Sequence, residues 1–99
     1  MGLAKQIADK YGVEILERPN SELVASKNFT SFLAACKEEG AVIIGIEGFR
    51  LEGKTIIPEM GAIADFSDLR SSEASASEAT RFFLEVNDDS LFYNFTIYH

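Results

Sequence analysis

The stretch Ala41-Val42-Ile43-Ile44-Gly45-Ile46-Glu47-Gly48-Phe49-Arg50-Leu51-Glu52-Gly53-Lys54-Thr55-Ile56-Ile57-Pro58 decides the fold. Its first six residues are apolar on both faces, too short and too β-branched for a helix, and predict a central strand continuing to Leu51. Glu52-Gly53 predicts a tight turn, and Lys54–Ile57 a second strand folded back on the first. Pro58 has no N–H for a ladder, so the second strand is expected to close there.

Upstream, Phe29, Phe32, Leu33 and Cys36 fall at i, i+3, i+4 and i+7 and predict a helix, capped by Ser26 or Asn28 and ended by Gly40. Leu3, Ala4, Ile7, Ala8 and Tyr11 form an earlier helical stripe that Gly12 stops. Val13–Glu17 alternates apolar and acidic as a short strand does, and Arg18-Pro19-Asn20-Ser21 reads as a turn. Glu22–Ala25 is either an extra helical turn or the start of the next helix.

Downstream, Glu59–Ser72 has no clean period and is either a short strand or a long loop pinned by Ala62, Ile63, Ala64, Phe66 and Leu69. Structureless loops of this length are uncommon and often functional. Ser75-Ala76-Ser77-Glu78 has capping-box spacing ahead of Ala79, Phe82, Phe83 and Val86, a third helix. Leu91–Tyr98, rich in aromatic and β-branched residues, predicts a last strand after the turn Asn87–Ser90. The expected fold is α+β: three amphipathic helices on a mostly antiparallel sheet of about four strands with a central hairpin. Its last strand would return parallel to a hairpin strand. The 99 residues are expected to form one domain, 1–99.

The chain carries sixteen acids against nine bases, a net charge of −7. Residues 1–40 hold six acids and five bases, and residues 41–99 hold ten acids and four bases. Such a surface repels nucleic acid and anionic membranes and favours a cationic protein partner. No run approaches the roughly 20 apolar residues of a membrane helix, and the charged N-terminus is no signal peptide. A cytoplasmic protein is expected. Gln6 defeats a myristoylation reading of Gly2, and without a signal peptide the sequons at Asn28 and Asn94 are chance matches.

Catalytic chemistry is scarce. The one cysteine, Cys36, shares a helical face with Phe29 and Phe32 and reads as a small buried hydrophobe. The one histidine is the terminal His99. Neither builds a nucleophile–base pair or a zinc site, so no metal, no cofactor and no enzyme is expected. Glu59, Asp65, Asp68 and Glu73 gather in the irregular segment without a calcium-loop pattern. They suit a solvated loop, recognition of a basic partner, or acid–base and cation chemistry. On the last strand, Leu91, Tyr93, Phe95 and Ile97 share a core face. Phe92, Asn94, Thr96 and Tyr98 share the other, which is either an interface or the seat of a helix.

The run Ile46-Glu47-Gly48-Phe49-Arg50-Leu51, then Ile56-Ile57-Pro58-Glu59-Met60, then Ala62-Ile63-Ala64-Asp65-Phe66-Ser67 resembles small bacterial immunity proteins of the colicin and contact-dependent growth inhibition type. There a strand with an "EGF" start leads to an "IP" step and an "IADFS"-like segment. The resemblance covers about a third of the chain and implies a small acidic protein that blocks a cognate toxin, often a nuclease. Glu59, Asp65, Asp68 and Glu73 are then the expected acidic contacts on a basic toxin, with Tyr93 or Tyr98 as aromatic anchors. The alternative is a homodimeric structural or adaptor module pairing through the C-terminal strand or its outer face.

Overall fold

A computed structural model describes residues 2–99. Three helices, α1 (Leu3–Tyr11), α2 (Phe29–Glu39) and α3 (Ser72–Val86), accompany five strands: β1 (Leu16–Arg18), β2 (Ser21–Ala25), β3 (Val42–Glu52), β4 (Thr55–Asp65) and β5 (Phe92–Tyr98). The sheet order is β1-β2-β5-β3-β4, with every neighbouring pair antiparallel. The α+β expectation holds, with five strands in place of about four. The added strand is β2: Ser21–Ala25 is extended, not helical, and pairs with β1 through the Pro19-Asn20 turn. β5 enters between β2 and β3, so it runs antiparallel to β3 and not parallel to a hairpin neighbour.

The hairpin turn falls at Gly53-Lys54. β4 does not close at Pro58, which pairs with Phe49 and leaves the ladder intact. β4 is an edge strand, so an absent N–H on its outer side breaks no bond. The ladder jumps from Glu47↔Ile63 to Phe49↔Pro58, so Glu59–Ala62 bulges opposite Gly48. A Cβ on Gly48 would sit 2.7 Å from Ala62 Cβ, so only glycine lets the bulge settle against β3. The irregular spacing of residues 59–62 is this bulge, and the true connection to α3 is residues 66–71.

α2 and α3 cover the face of the sheet that bears Tyr93 and Phe95. Phe29 of α2 stacks on Phe83 of α3 at 4.3 Å and meets Tyr93 edge-on at 4.9 Å, while Phe32 lies 4.7 Å from Phe95. One apolar cluster draws on α1, α2, α3 and the sheet, with Phe29, Phe32, Ile43 and Tyr93 fully buried. Cys36 lies in it, and burial pushes its thiol up to about 12, so it is packing and not a nucleophile.

Helix ends use partners the spacing did not predict. The Glu22 carboxylate accepts from the Gly2 and Lys5 amides, both at 3.1 Å, and so caps α1 from β2. Gly40 ends α2 in the left-handed region at φ 74°. Asn28 precedes α2 without a side-chain cap bond, after a single 3-10 turn, Ser26–Asn28. The cap of α3 is Ser71, whose Oγ accepts from the Ala74 amide at 3.0 Å, so the box at Ser75–Glu78 lies inside the helix. Ser75 is instead buried, and its Oγ accepts from the Ile43 amide at 3.0 Å, tying α3 to β3. Among the described residues, no helix is long and apolar enough to cross a membrane.

Candidate functional site

Because α2 and α3 lie on the Tyr93 face, the opposite face of the sheet has neither of them over it. Its residues follow from strand register. Val42 stands beside Tyr98, Gly45 between Thr96 and Asp65, Glu47 between Asn94 and Ile63, and Phe49 between Phe92 and Pro58. Glu47, Asp65 and Thr96 are exposed, and Tyr98 keeps 68% of its surface. Glu47 and Asp65 are diagonal neighbours across the β3–β4 ladder, a relation that places side chains about 7–8 Å apart. The centre of this face is therefore acidic and amide-bearing, with aromatic groups at both ends.

At the Tyr98 end, Val42, Ile44, Leu69, Arg70 and Tyr98 line a cavity of about 340 Å³. Ile44 joins it because the register of β3 against β5 slips between Ile43 and Gly45. Arg70 Nη1 donates to the Ser67 carbonyl at 2.6 Å and so holds the β4–α3 connection against this rim.

The four carboxylates expected to act together do not converge. Glu59 lies in the β4 bulge, where Arg50 Nε donates to it at 2.7 Å. Arg50 also pairs with Asp88 at 2.9 Å, which sets Glu59 near the C-terminal end of α3. Glu73 stands in the first turn of the same helix, beside the α2–α3 cleft with Thr30 and Lys37. A fifteen-residue helix is about 22 Å long, so these two acids face different neighbourhoods. Asp65 and Asp68 lie at the end of β4 and in the following connection, both exposed. The Ser67 amide donates to Asp65 Oδ1 at 2.9 Å and holds that carboxyl below its ordinary value, so it is a committed anion.

The two tyrosines part company as well. Tyr98 is exposed on the open face, as expected of an anchor. Tyr93 is fully buried against Phe29, so it can anchor no partner. Its hydroxyl has no partner of hydrogen-bond geometry, although the Ser26 Oγ, which donates toward the Leu91 and Asp88 carbonyls at 2.9 and 3.1 Å, is near enough to offset part of the effect of burial. Burial raises the Tyr93 pKa.

Glu47 was missed by sequence reading, although its alternation with Ile46 and Gly48 marked it as outward-facing. Among the described residues, Glu47, Glu52, Asp65, Asp68, Glu73 and Asp89 carry no ion pair, whereas Glu59, Glu78, Glu85 and Asp88 do. Within residues 41–99 the carboxylates without an ion pair thus lie on the hairpin, in the 66–71 connection beside Arg70, and at the two ends of α3. His99 Nε2 lies 2.9 Å from the Glu39 carbonyl and is a tether for the terminus. Among the described residues, no three His, Cys, Asp or Glu side chains gather as a metal site. β5 is paired on one side with β3 and, at Phe92 and Tyr93, on the other with β2. No family model, curated protein or solved structure matches the chain.

Proposed function

We propose that this chain is a non-enzymatic, acidic binding protein that inhibits a cognate basic toxin by lying across its active cleft, with a nuclease as the first class to test. The observation that carries the reading is the open sheet face. It carries Glu47 on β3 and its diagonal neighbour Asp65 at the end of the edge strand β4, neither in an ion pair, with Tyr98, Phe49 and Phe92 on the same face. A nuclease needs a cationic cleft to hold phosphates. Fixed carboxylates steer encounter with such a cleft and compete for its cations, while aromatic side chains supply desolvated contact. The cavity beside Tyr98 offers room for one apolar side chain of the partner.

The contact set differs from the one read in sequence. Asp65, Asp68 and Tyr98 stay in it, and Glu47 joins them. Glu59 is ion-paired to Arg50, which it shares with Asp88, Glu73 lies on another surface and Tyr93 is core. The test is to co-express the chain with a toxin domain encoded beside it and assay the toxin's activity on nucleic acid. Inhibition by a stable complex, with association slowing as salt rises, supports the reading. A toxin that stays fully active with the chain present in excess contradicts it.

A further inference from the structure

The sheet ends in two unlike edges. β1 is three residues long, whereas β4 has eleven. The first half of β4 is blunted, since Pro58 has no N–H to offer and Glu59–Ala62 bulges away from regular pairing. Beyond the bulge, Ile63, Ala64 and Asp65 pair in regular register with Glu47, Ile46 and Gly45. The Phe66 amide donates to the Ile44 carbonyl at 2.9 Å, so by alternation Ala64 turns its backbone groups toward β3, and Ile63 and Asp65 turn theirs to the outer side, where no strand stands.

A groove of about 320 Å³ runs along this edge, lined by Ile63, Ala64, Asp65 and Phe66 and, across from them, by Glu78, Arg81, Phe82 and Glu85 of α3. Consecutive strand residues alternate faces, so a groove touching four in a row looks onto the strand's edge itself. Glu78 and Glu85 are seven residues apart, on one side of α3, and Arg81 between them lies 3.6 Å from one and 3.3 Å from the other. With Asp65 the groove holds three carboxylates to one guanidinium. That balance repels a second copy of this chain and attracts a cationic segment.

We propose that the Ile63–Asp65 edge of β4 receives an extended basic segment of the partner as a sixth strand. Its backbone bonds to the free edge, and its lysine or arginine side chains on the helix side meet Glu78 and Glu85. Same-face residues of a strand recur about every 6.6 Å, and the rise from Glu78 to Glu85 is about 10.5 Å, so two or three basic positions match the helix wall. The inference rests on the proposed function and names how the partner is held.

The test uses the full chain, ¹⁵N-labelled, titrated with the blocked peptide Lys-Val-Lys-Val-Lys-Val-Lys and with the same peptide N-methylated at alternate residues. The expected result is shift changes over residues 63–66 and 78–85, with slowed exchange of the outward Ile63 and Asp65 amides. Affinity should drop about tenfold or more on N-methylation, and similarly in a Glu78→Lys, Glu85→Lys variant. Equal binding of both peptides means charge alone and overturns the strand. Shifts confined to Glu47, Asp65 and Tyr98 overturn it too, but leave occlusion by the open face standing. Absence of any shift overturns the strand, and the toxin assay alone then decides the inhibitor reading. Protection of residues 63–66 that grows with protein concentration and without peptide gives the edge to a second copy and also overturns the proposal.

Discussion

Tyr93 and Phe95 of β5, with Leu91 just ahead of it, are buried on the side of the sheet that α2 and α3 cover, and both rings pack directly on Phe29. The residues that alternate with them, Phe92, Asn94, Thr96 and Tyr98, range from half-buried to exposed. Both sets contain aromatic side chains, so composition does not tell them apart. What separates them is which side the helices took. One face therefore carries stability and the other is the one proposed for recognition, and substitutions on the two should have separable effects.

The largest effect is expected at the centre of the covered face. Phe29→Ala removes a ring that touches Phe83, Tyr93 and Phe95. It should cost about 3–5 kcal/mol in urea unfolding, a large share of a typical domain's stability of about 5–15 kcal/mol. A loss below 1 kcal/mol would mean that this face is not the core. Ser75→Ala comes next. It orphans the buried Ile43 amide, and should lower stability by about 1–3 kcal/mol while the Ile43 amide loses exchange protection.

Tyr93→Phe sharpens the comparison by its sign. A buried hydroxyl without a partner is a liability, so its removal should raise stability by up to about 1 kcal/mol. A loss of stability would show that the hydroxyl is bonded to Ser26. The pH response is smaller. Asp65 and Asp88 are both held below the ordinary value of 3.8, in each case first by hydrogen bonds from the serine two residues on. The folded state therefore binds fewer protons than the unfolded one. Their stabilisation is complete above 3.8 and is lost as pH falls through the lowered values. Asp65→Asn combined with Asp88→Asn should flatten the acid limb of the stability curve. On the open face, Tyr98→Ala should change stability by no more than about 0.5 kcal/mol, since two thirds of that side chain already meets solvent.

Most of the architecture was legible because period and punctuation agree there. The α2 stripe, the glycine stops at residues 12 and 40, and the β3 run each gave one answer by two routes. Reading failed where a tertiary neighbour decides. Glu22–Ala25 has no strong pattern of its own and becomes a strand through β1 and β5. Pro58 normally closes a strand, but an edge position tolerates it. Residues 59–62 lack a period because they bulge against Gly48. Ser75 has the spacing of a cap and serves as a cross-link. The site was legible only in part for the same reason. Exposure of Asp65 and Tyr98 follows from local pattern, whereas the engagement of Glu59 depends on Arg50, nine residues away in the chain and shared with Asp88.

The central claim is that the open acidic face holds a cationic partner. Its most direct test is the affinity of the Glu47→Lys, Asp65→Lys variant for the toxin domain encoded beside it, measured against the unaltered chain and against a Glu52→Lys control. With folding unchanged by urea titration, affinity should fall by about tenfold or more in the double variant and little in the control. Undiminished affinity in the double variant would contradict the account.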